Sequence, residues 1–517
     1  MLNAFTGAQV RAAEVPFLNA GHGNTLMQKA AHGLFLVALE MLRSAGHSAK
    51  RSSVVVLVGS GNNGADALYA GERLLRRGVA VTAIAVADEV HSEASEAFGR
   101  RGGRVLHLGP ENFPDLAARA VRATLVIDGI LGTGARGGLR GIAAELVSAI
   151  NTGAGERSVR SLLVVACDLP SGVDVDSGEL LEPVLLADAT VTFGAAKTGL
   201  LVSGGALAAG ELNVVDIGLG MTTPGADTAM EPPMRRLEAH DVSALYRRPQ
   251  VGDHKYTRGV LGVAAGSAQY PGAAVLATGA ALATGLGMVR YLGPPAVATI
   301  INAVHPEVVC STGDVEDSRS QAWLVGPGAV EDDDQARRAR GAIASGLPVV
   351  VDAGALSEVP ERVESSVILT PHAGELRALL ATRGIDVSRA DIEAAPARFA
   401  LEAARLTGAT VLLKGFTTIT AAPTGEVFSQ AEAPPWLATA GSGDTLSGIL
   451  GALVATLAED DGVAARLGLP ASATWAAVAA AAALIHGLAG MRAAEYGPVV
   501  VAGLPRHIGA VLADILA

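Results

Sequence analysis

Two α/β domains are the fold class predicted by this 517-residue sequence, and three observations lead there. Short β-branched runs end repeatedly in turns carrying glycine or aspartate, and helical patterns follow them. Half the residues are apolar against 17% charged, with mean hydropathy +0.38, far from the composition of disordered chains. The apolar set is mostly Ala, Val and Leu with 3% aromatics and 63 glycines, which suits close helix–sheet packing and tight turns.

Ser53–Val58 is apolar almost throughout, as expected of a strand buried on both faces. It runs into Gly59-Ser60-Gly61-Asn62-Asn63-Gly64-Ala65-Asp66, and a helix is expected from there through Arg77, closed by Gly78. Further strands are expected over Val79–Ala87, Thr124–Ile127 (stopping at Asp128), Leu162–Ala166 (stopping at Cys167-Asp168), Ala189–Phe193 and Glu211–Val215. This alternation predicts a mostly parallel, doubly wound sheet. Pro, Gly and Thr then cluster over Met221–Pro233 and mark a boundary. Beyond it the pattern restarts, with Val260–Ala264, Ala322–Val325, Leu347–Val351, Val367–Leu369 and Thr410–Leu413 as expected strands. No internal repeat relates the halves, so two different domains are expected, 1–222 and 237–517, joined by a linker at 223–236.

The balance of 39 basic and 51 acidic residues gives a net charge of −12, with no basic block. That argues against nucleic acid or an anionic membrane as partner and leaves small molecules. Cys167 and Cys310 are too few for a disulfide framework or a zinc cluster, and both are expected as small buried hydrophobes in a reducing, cytoplasmic setting. No export signal is read near Arg11 and Glu14. Leu467–Met491 carries no charge, but it is built from Ala and holds Pro470, His486 and Gly487. A buried core helix is expected there rather than a membrane span.

In open α/β sheets ligands bind beyond the carboxyl ends of the strands. In the first domain those ends carry the Asn63/Asp66 loop, Asp128 and Asp168. Glycine loops before helices offer free amides to an anion. A second such loop, Gly132-Thr133-Gly134-Ala135-Arg136-Gly137-Gly138, adds a cation. Asn63, Asp128 and Ser171 are oxygen donors, a hard set suited to an alkali or alkaline-earth ion. In the second domain, Gly441-Ser442-Gly443-Asp444 opens an apolar helix. Its amides and helix dipole form an anion hole beside a carboxylate able to accept a proton from an attacking hydroxyl. Lys414-Gly415 ends a preceding strand, with Trp436 and Thr439 between.

Asn62–Asp66, Val126–Gly134 and Asp168-Leu169-Pro170-Ser171-Gly172 resemble, in order and spacing, the three motifs of NAD(P)H-hydrate epimerases over about the first 220 residues. The resemblance implies a Rossmann-like domain with potassium on Asn63, Asp128 and Ser171. It implies contacts to a hydrated nicotinamide dinucleotide from Asn62, Asn63, Gly64, Ala65, Asp66, Gly132, Thr133, Gly134, Ala135, Arg136, Gly137, Gly138 and Asp168. Asp168 would handle the proton, with Lys197 nearby. Ala65 and Ala67 stand where glycine is usual in that family, so a loop of altered geometry is expected there.

From about Asp253 onward the chain resembles the ribokinase-like fold and, more narrowly, ADP-dependent NAD(P)H-hydrate dehydratases. The resemblance rests on Ala265–Ala273, His305-Pro306-Glu307, Val325-Gly326-Pro327-Gly328, Thr370–Glu375, Leu413-Lys414-Gly415 and the Gly-Ser-Gly-Asp element. It implies nucleotide binding by Lys414, Gly415, Phe416, Thr417, Thr418 and Gly443. Ala273, Gly328, His372 and Asp444 would meet the hydrated cofactor, with Asp444 as base. Gly354 stands where that family carries a second aspartate. Together the resemblances imply an enzyme that repairs hydrated NADH and NADPH, using ADP as co-substrate with magnesium, and forming a homo-oligomer. The alternative is a ribokinase-like kinase for a small vitamin precursor or sugar, with an N-terminal nucleotide-binding module.

Overall fold

A computed structural model of the chain describes every residue except 156–161, 224–225 and 331, and it divides into two compact units. One comprises Asn3–Pro233; the other comprises Met234–Ala517 with Met1–Leu2. The division falls within the proline-rich stretch expected as a linker, of which residues 224 and 225 lie outside the described residues. The last three residues assigned to that linker, Met234–Arg236, are instead a strand of the second unit.

The first unit is built on a seven-stranded, all-parallel sheet. Its strands lie in the order Arg104–His107, Ala80–Ala85, Ser53–Val58, Leu125–Gly129, Leu163–Cys167, Ala189–Phe193, Glu211–Val215. Chain order reverses between Ser53–Val58 and Leu125–Gly129, the place where doubly wound sheets open a crevice. Helices Gly23–Ser44 and Asn62–Arg76 cover one face and Phe113–Val121 and Gly141–Gly155 the other, so the central strands are buried from both sides. The strand expected at Thr124–Ile127 spans Leu125–Gly129, ending two residues later, which places Asp128 inside the strand, fully buried, rather than in the following turn. The expected altered loop at Ala65 and Ala67 is also corrected. Both lie in the regular helix Asn62–Arg76, where alanine is favoured over glycine. The Ala67 methyl fits because its neighbour is Gly129, whose own Cβ would come 2.5 Å from it.

The second unit carries strands in the order Val309–Ser311, Met288–Leu292, Val260–Ala264, Ala322–Val325, Val349–Val351, Val367–Leu369, Thr410–Leu413, Thr418–Ala421, Val427–Gln430, Met234–Arg236. Pairing is parallel up to Thr410–Leu413, which turns back antiparallel onto Thr418–Ala421 and then Val427–Gln430. The sequence reading missed both hairpin strands, because it assigned Lys414–Thr418 to ligand binding. It missed Met288–Leu292 because Arg290 interrupts the apolar run. Cys310, expected to be buried, lies half-buried in the short strand Val309–Ser311, whereas Cys167 is fully buried.

The core of this unit is a cluster of small side chains on helices Pro271–Ala283, Ser442–Leu457, Thr474–Ala494 and Leu504–Leu516. The segment Ala471–Ala494 is long and apolar enough to cross a membrane, yet 78% of its most apolar window is buried inside the protein. Alanine and glycine let these helices approach closely: a Cβ at Gly448 would sit 2.3 Å from the Ala277 carbonyl oxygen. Gly448→Ala should therefore lower stability by about 1–3 kcal/mol through forced helix separation. The thermal unfolding midpoint of the purified chain checks it, and an unchanged midpoint would contradict this packing.

Candidate active sites at two sheet edges

The reversal in the first sheet needs glycine where backbones meet. A Cβ at Gly59 would lie 2.0 Å from the Ile130 carbonyl oxygen, and one at Gly64 would lie 2.3 Å from that of Gly59. These close approaches bring the two turns together around a cavity of about 440 Å³. Ser60–Asn63, Asp66, Ile130–Ala135, Asp168, Phe193 and Lys197 line it, with Arg11 and Glu14 from the helix Gly7–Asn19.

Asp168 leaves the strand Leu163–Cys167 in a left-handed conformation (φ 69°), its amide bonded to the Val191 carbonyl at 2.7 Å. Its Oδ2 accepts from the Thr133 amide (2.9 Å) and hydroxyl (2.5 Å), and its Oδ1 accepts from Thr192 and from Lys197 Nζ at 2.5 Å. Lys197 is fully buried and places its other protons on Thr192 Oγ1 and the Phe193 carbonyl. It is held there by a parallel pairing with Phe5. Burial alone would raise the Asp168 pKa, but the Lys197 charge and the hydrogen bonds from Lys197 and Thr133 outweigh it, so the carboxyl lies below its ordinary range.

Asp66 is the opposite case. Its Oδ1 is buried without a hydrogen-bond partner, and burial, then the charges of Asp168 and Glu14, drive its pKa well upward. One cavity thus holds two carboxyls driven in opposite directions, Asp168 toward the ionised form by Lys197 and Asp66 toward the protonated form by burial, a division that acid–base catalysis uses.

Asn63, Asp128 and Ser171 also come together. Asp128 Oδ1 accepts from Ser171 Oγ (2.7 Å) and Oδ2 from the Ser171 amide (2.8 Å). Asn63 donates to the Leu131 carbonyl while its Oδ1 is buried and unpartnered. Leu131 links them, its amide donating to Ser171 Oγ at 2.9 Å and its carbonyl accepting from Asn63, and the orphaned Asn63 oxygen and buried Asp128 carboxylate are hard oxygen donors of the kind a monovalent cation takes.

Other expected residues fall outside the cavity lining: Gly64 and Ala65 are packed in the helix, Arg136 and Gly137 are exposed, and Gly138 abuts Leu181. The cation comes instead from Arg11, whose Nη1 donates to the Thr133 carbonyl at 2.5 Å. Arg11 and Glu14 left no signal in the sequence beyond two charges on an otherwise ordinary helix.

In the second unit, Lys414 follows the strand Thr410–Leu413 and lies 2.7 Å from Asp352 Oδ1 and 4.0 Å from Glu375 Oε2. A Cβ at Gly443 would stand 3.4 Å from Lys414 Nζ, so glycine there lets the lysine reach the helix N-terminus that Asp444 occupies. Burial, then the negative charge of Asp352, push the Asp444 pKa up to about 6, with Lys414 opposing. Asp352, not expected as a site residue, is fully buried. It accepts from Lys414 and the Ala353 amide on one oxygen and from Ser447 Oγ (2.6 Å) on the other.

His372 pairs in backbone register with Lys414 and caps its helix, Nδ1 accepting from the Glu375 amide. Gly328 adjoins Ala273, since a Cβ on the glycine would come 2.6 Å from the alanine methyl. Leu276, one turn along from Ala273, lies against Gly441. Gly415 and Phe416 are exposed, Thr417 is buried and Thr418 begins a strand, so this stretch offers an open rim rather than an enclosed pocket. Gly354 is sterically required: a Cβ there would approach the Ala329 carbonyl oxygen to 1.8 Å, leaving no room for an aspartate.

Comparison with known proteins follows this division. Residues 23–199 match the family model of the YjeF-related protein N-terminus, and 261–511 match that of NAD(P)H-hydrate dehydratase. The chain is 39% identical over 464 residues to the bifunctional NAD(P)H-hydrate repair enzyme of Mycobacterium leprae, covering 88% of this chain and 89% of that protein. It is 39% identical over 456 residues to that of Mycobacterium tuberculosis, covering 86% and 88%. The same-named protein of Corynebacterium glutamicum is 32% identical over 527 residues, covering 88% and 87%.

Since the negative charge of Asp352 raises the Asp444 pKa, Asp352→Asn should move the Asp444 titration downward from about 6. Carboxyl-carbon NMR of the variant reads this directly. An unmoved or rising midpoint would remove Asp352 as the cause.

Proposed function

The chain belongs to the bifunctional NAD(P)H-hydrate repair enzymes, and from that premise we propose how its two sites divide the work. It is an enzyme that repairs hydrated NADH and NADPH; family membership favours this over the sugar or vitamin kinase. In our reading the first unit interconverts the R and S hydrates, and the second removes the hydroxyl of the S form at the expense of ADP.

The observation that carries the first assignment is the unlike pair of carboxyls in one cavity. The hydrated ring carbon bears both a hydroxyl and the ring nitrogen. Asp168 takes the hydroxyl proton as the carbonyl forms and the carbon–nitrogen bond breaks, and the proton of Asp66 goes to nitrogen. Rotation and closure on the other face run the same transfers backward, so both groups end as they began. A potassium ion on Asn63, Asp128 and Ser171 would supply fixed positive charge that offsets the buried Asp128 carboxylate and holds the two turns in register.

The second assignment rests on Asp444 at a helix N-terminus beside Lys414. Hydroxide leaves poorly and phosphate leaves well. Asp444 accepts the hydroxyl proton as that oxygen attacks the β-phosphorus of ADP and AMP departs. The lone pair of the ring nitrogen then expels inorganic phosphate, and loss of a proton from the adjacent carbon restores NAD(P)H. Lys414, the amides of Gly443 and Asp444, and the helix dipole face the anion. The oxygens of Asp352 are already engaged by Lys414, Ala353 and Ser447, so magnesium would ride on the nucleotide, with Glu375 or Asp444 as its protein ligand.

The test is a mixture of both hydrates with ADP, magnesium and potassium, following absorbance of the restored reduced cofactor. Asp444→Ala should slow dehydration by roughly 10²–10⁴-fold while R and S still interconvert. Asp168→Asn or Asp66→Asn should leave dehydration of S intact and let R persist. Full consumption of R at the unaltered rate in either variant would reject the acid–base assignment.

A further inference from the structure

His486 is the one titratable group in the otherwise uncharged stretch 467–491, and neither proposed mechanism uses it. It lies on the helix Thr474–Ala494, 7% exposed, among alanines that fill the core of the second unit. Burying a polar ring in hydrocarbon without partners costs about 1–3 kcal/mol. Its partner is Ser442: Nε2 lies 3.3 Å from the Ser442 hydroxyl. Burial depresses the ring pKa to about 4, so near neutral pH the imidazole is uncharged and offers one donor and one acceptor.

Ser442 is the first residue of the helix that carries Asp444, and it stands between Gly441 in a left-handed conformation (φ 87°) and Gly443. Neither glycine has a side chain to fix the turn, so Ser442 is its anchor to the interior. The same helix supports the adjoining loop: a Cβ at Gly487 would lie 3.0 Å from the Ala433 amide, and one at Gly490 would lie 2.4 Å from Leu437. We propose that His486 is a positioning residue for the phosphate-transfer site, locking Ser442 so that the Gly443 and Asp444 amides and the Asp444 carboxylate keep their aim. The inference rests on the ADP-dependent reading of the second unit.

A misplacement on the ångström scale at such a site lowers rate by up to about 100-fold. His486→Leu should therefore lower kcat/KM for ADP-dependent dehydration by about 10- to 100-fold. R/S interconversion by the first unit of the same molecules should be unchanged, which shows that the sample is folded there. His486→Gln, which restores a donor and acceptor near the position of Nε2, should recover most of the loss. Ser442→Ala should reproduce it, and the double variant His486→Leu/Ser442→Ala should be no worse than either single change, because both remove one link. Normal kcat and KM in His486→Leu, or in Ser442→Ala should the leucine variant fail to fold, would overturn the inference. So would strictly additive losses, or equal loss in the leucine and glutamine variants. Absence of ADP-dependent turnover in the unaltered chain would instead reject the reading beneath it.

Discussion

Each unit depends on a lysine drawn into the protein at the carboxyl edge of its sheet by one aspartate, next to a second aspartate with no counter-ion of its own. Lys197 with Asp168, and Lys414 with Asp352, are the pairs; Asp66 and Asp444 are the unpaired neighbours. Removing one partner from a buried pair costs about 3–5 kcal/mol, so the pairs are rigid reference points. The spare carboxyl then feels both burial and the negative end of the pair, and its pKa rises. The two units use the arrangement differently. In the first, the paired aspartate faces the cavity and the unpaired one is buried with an orphaned oxygen, its pKa driven upward. In the second, the paired aspartate is sealed beneath the site and the unpaired one, near 6, is left half-exposed as a base.

Much of this was legible in the chain and some was not, for reasons that follow from range. Strand runs ending in glycine turns are local patterns, so the alternation, the two domains and the places where ligands enter could all be read directly. Clustering of Asn63, Asp128 and Ser171 was readable because three strand ends of one parallel sheet must converge. The structure moved Asp128 into the strand without separating it from its partners. Asp352 was legible as the end of a strand but not as a site residue, because its role depends on Lys414, 62 residues on, and on Ser447, 95 residues on. Arg11 and Glu14 likewise belong to a helix whose pattern says nothing about the loop it covers. The contrast between Asp66 and Asp168 is set entirely by burial and by who holds Lys197, neither of which a linear pattern displays.

Backbone crowding decides which small residues at these sheet edges carry a side chain. The Ala67 methyl takes the space that Gly129 leaves free, so of these two adjoining positions only one carries the carbon. At position 354 no side-chain carbon fits at all. The backbone there passes so near Ala329 that only glycine fits, and a second carboxylate is sterically excluded. With that group absent, the charge that an incoming phosphate meets comes from Lys414, tethered to Asp352, and from the amides at the start of the helix Ser442–Leu457. Proton transfer at this edge then falls to Asp444, the carboxyl placed beside both. The orientation of that short glycine-flanked turn becomes the quantity on which the chemistry of the second unit turns; Thr445 holds it from its own helix through the Gly441 carbonyl, and His486 holds it from behind through Ser442.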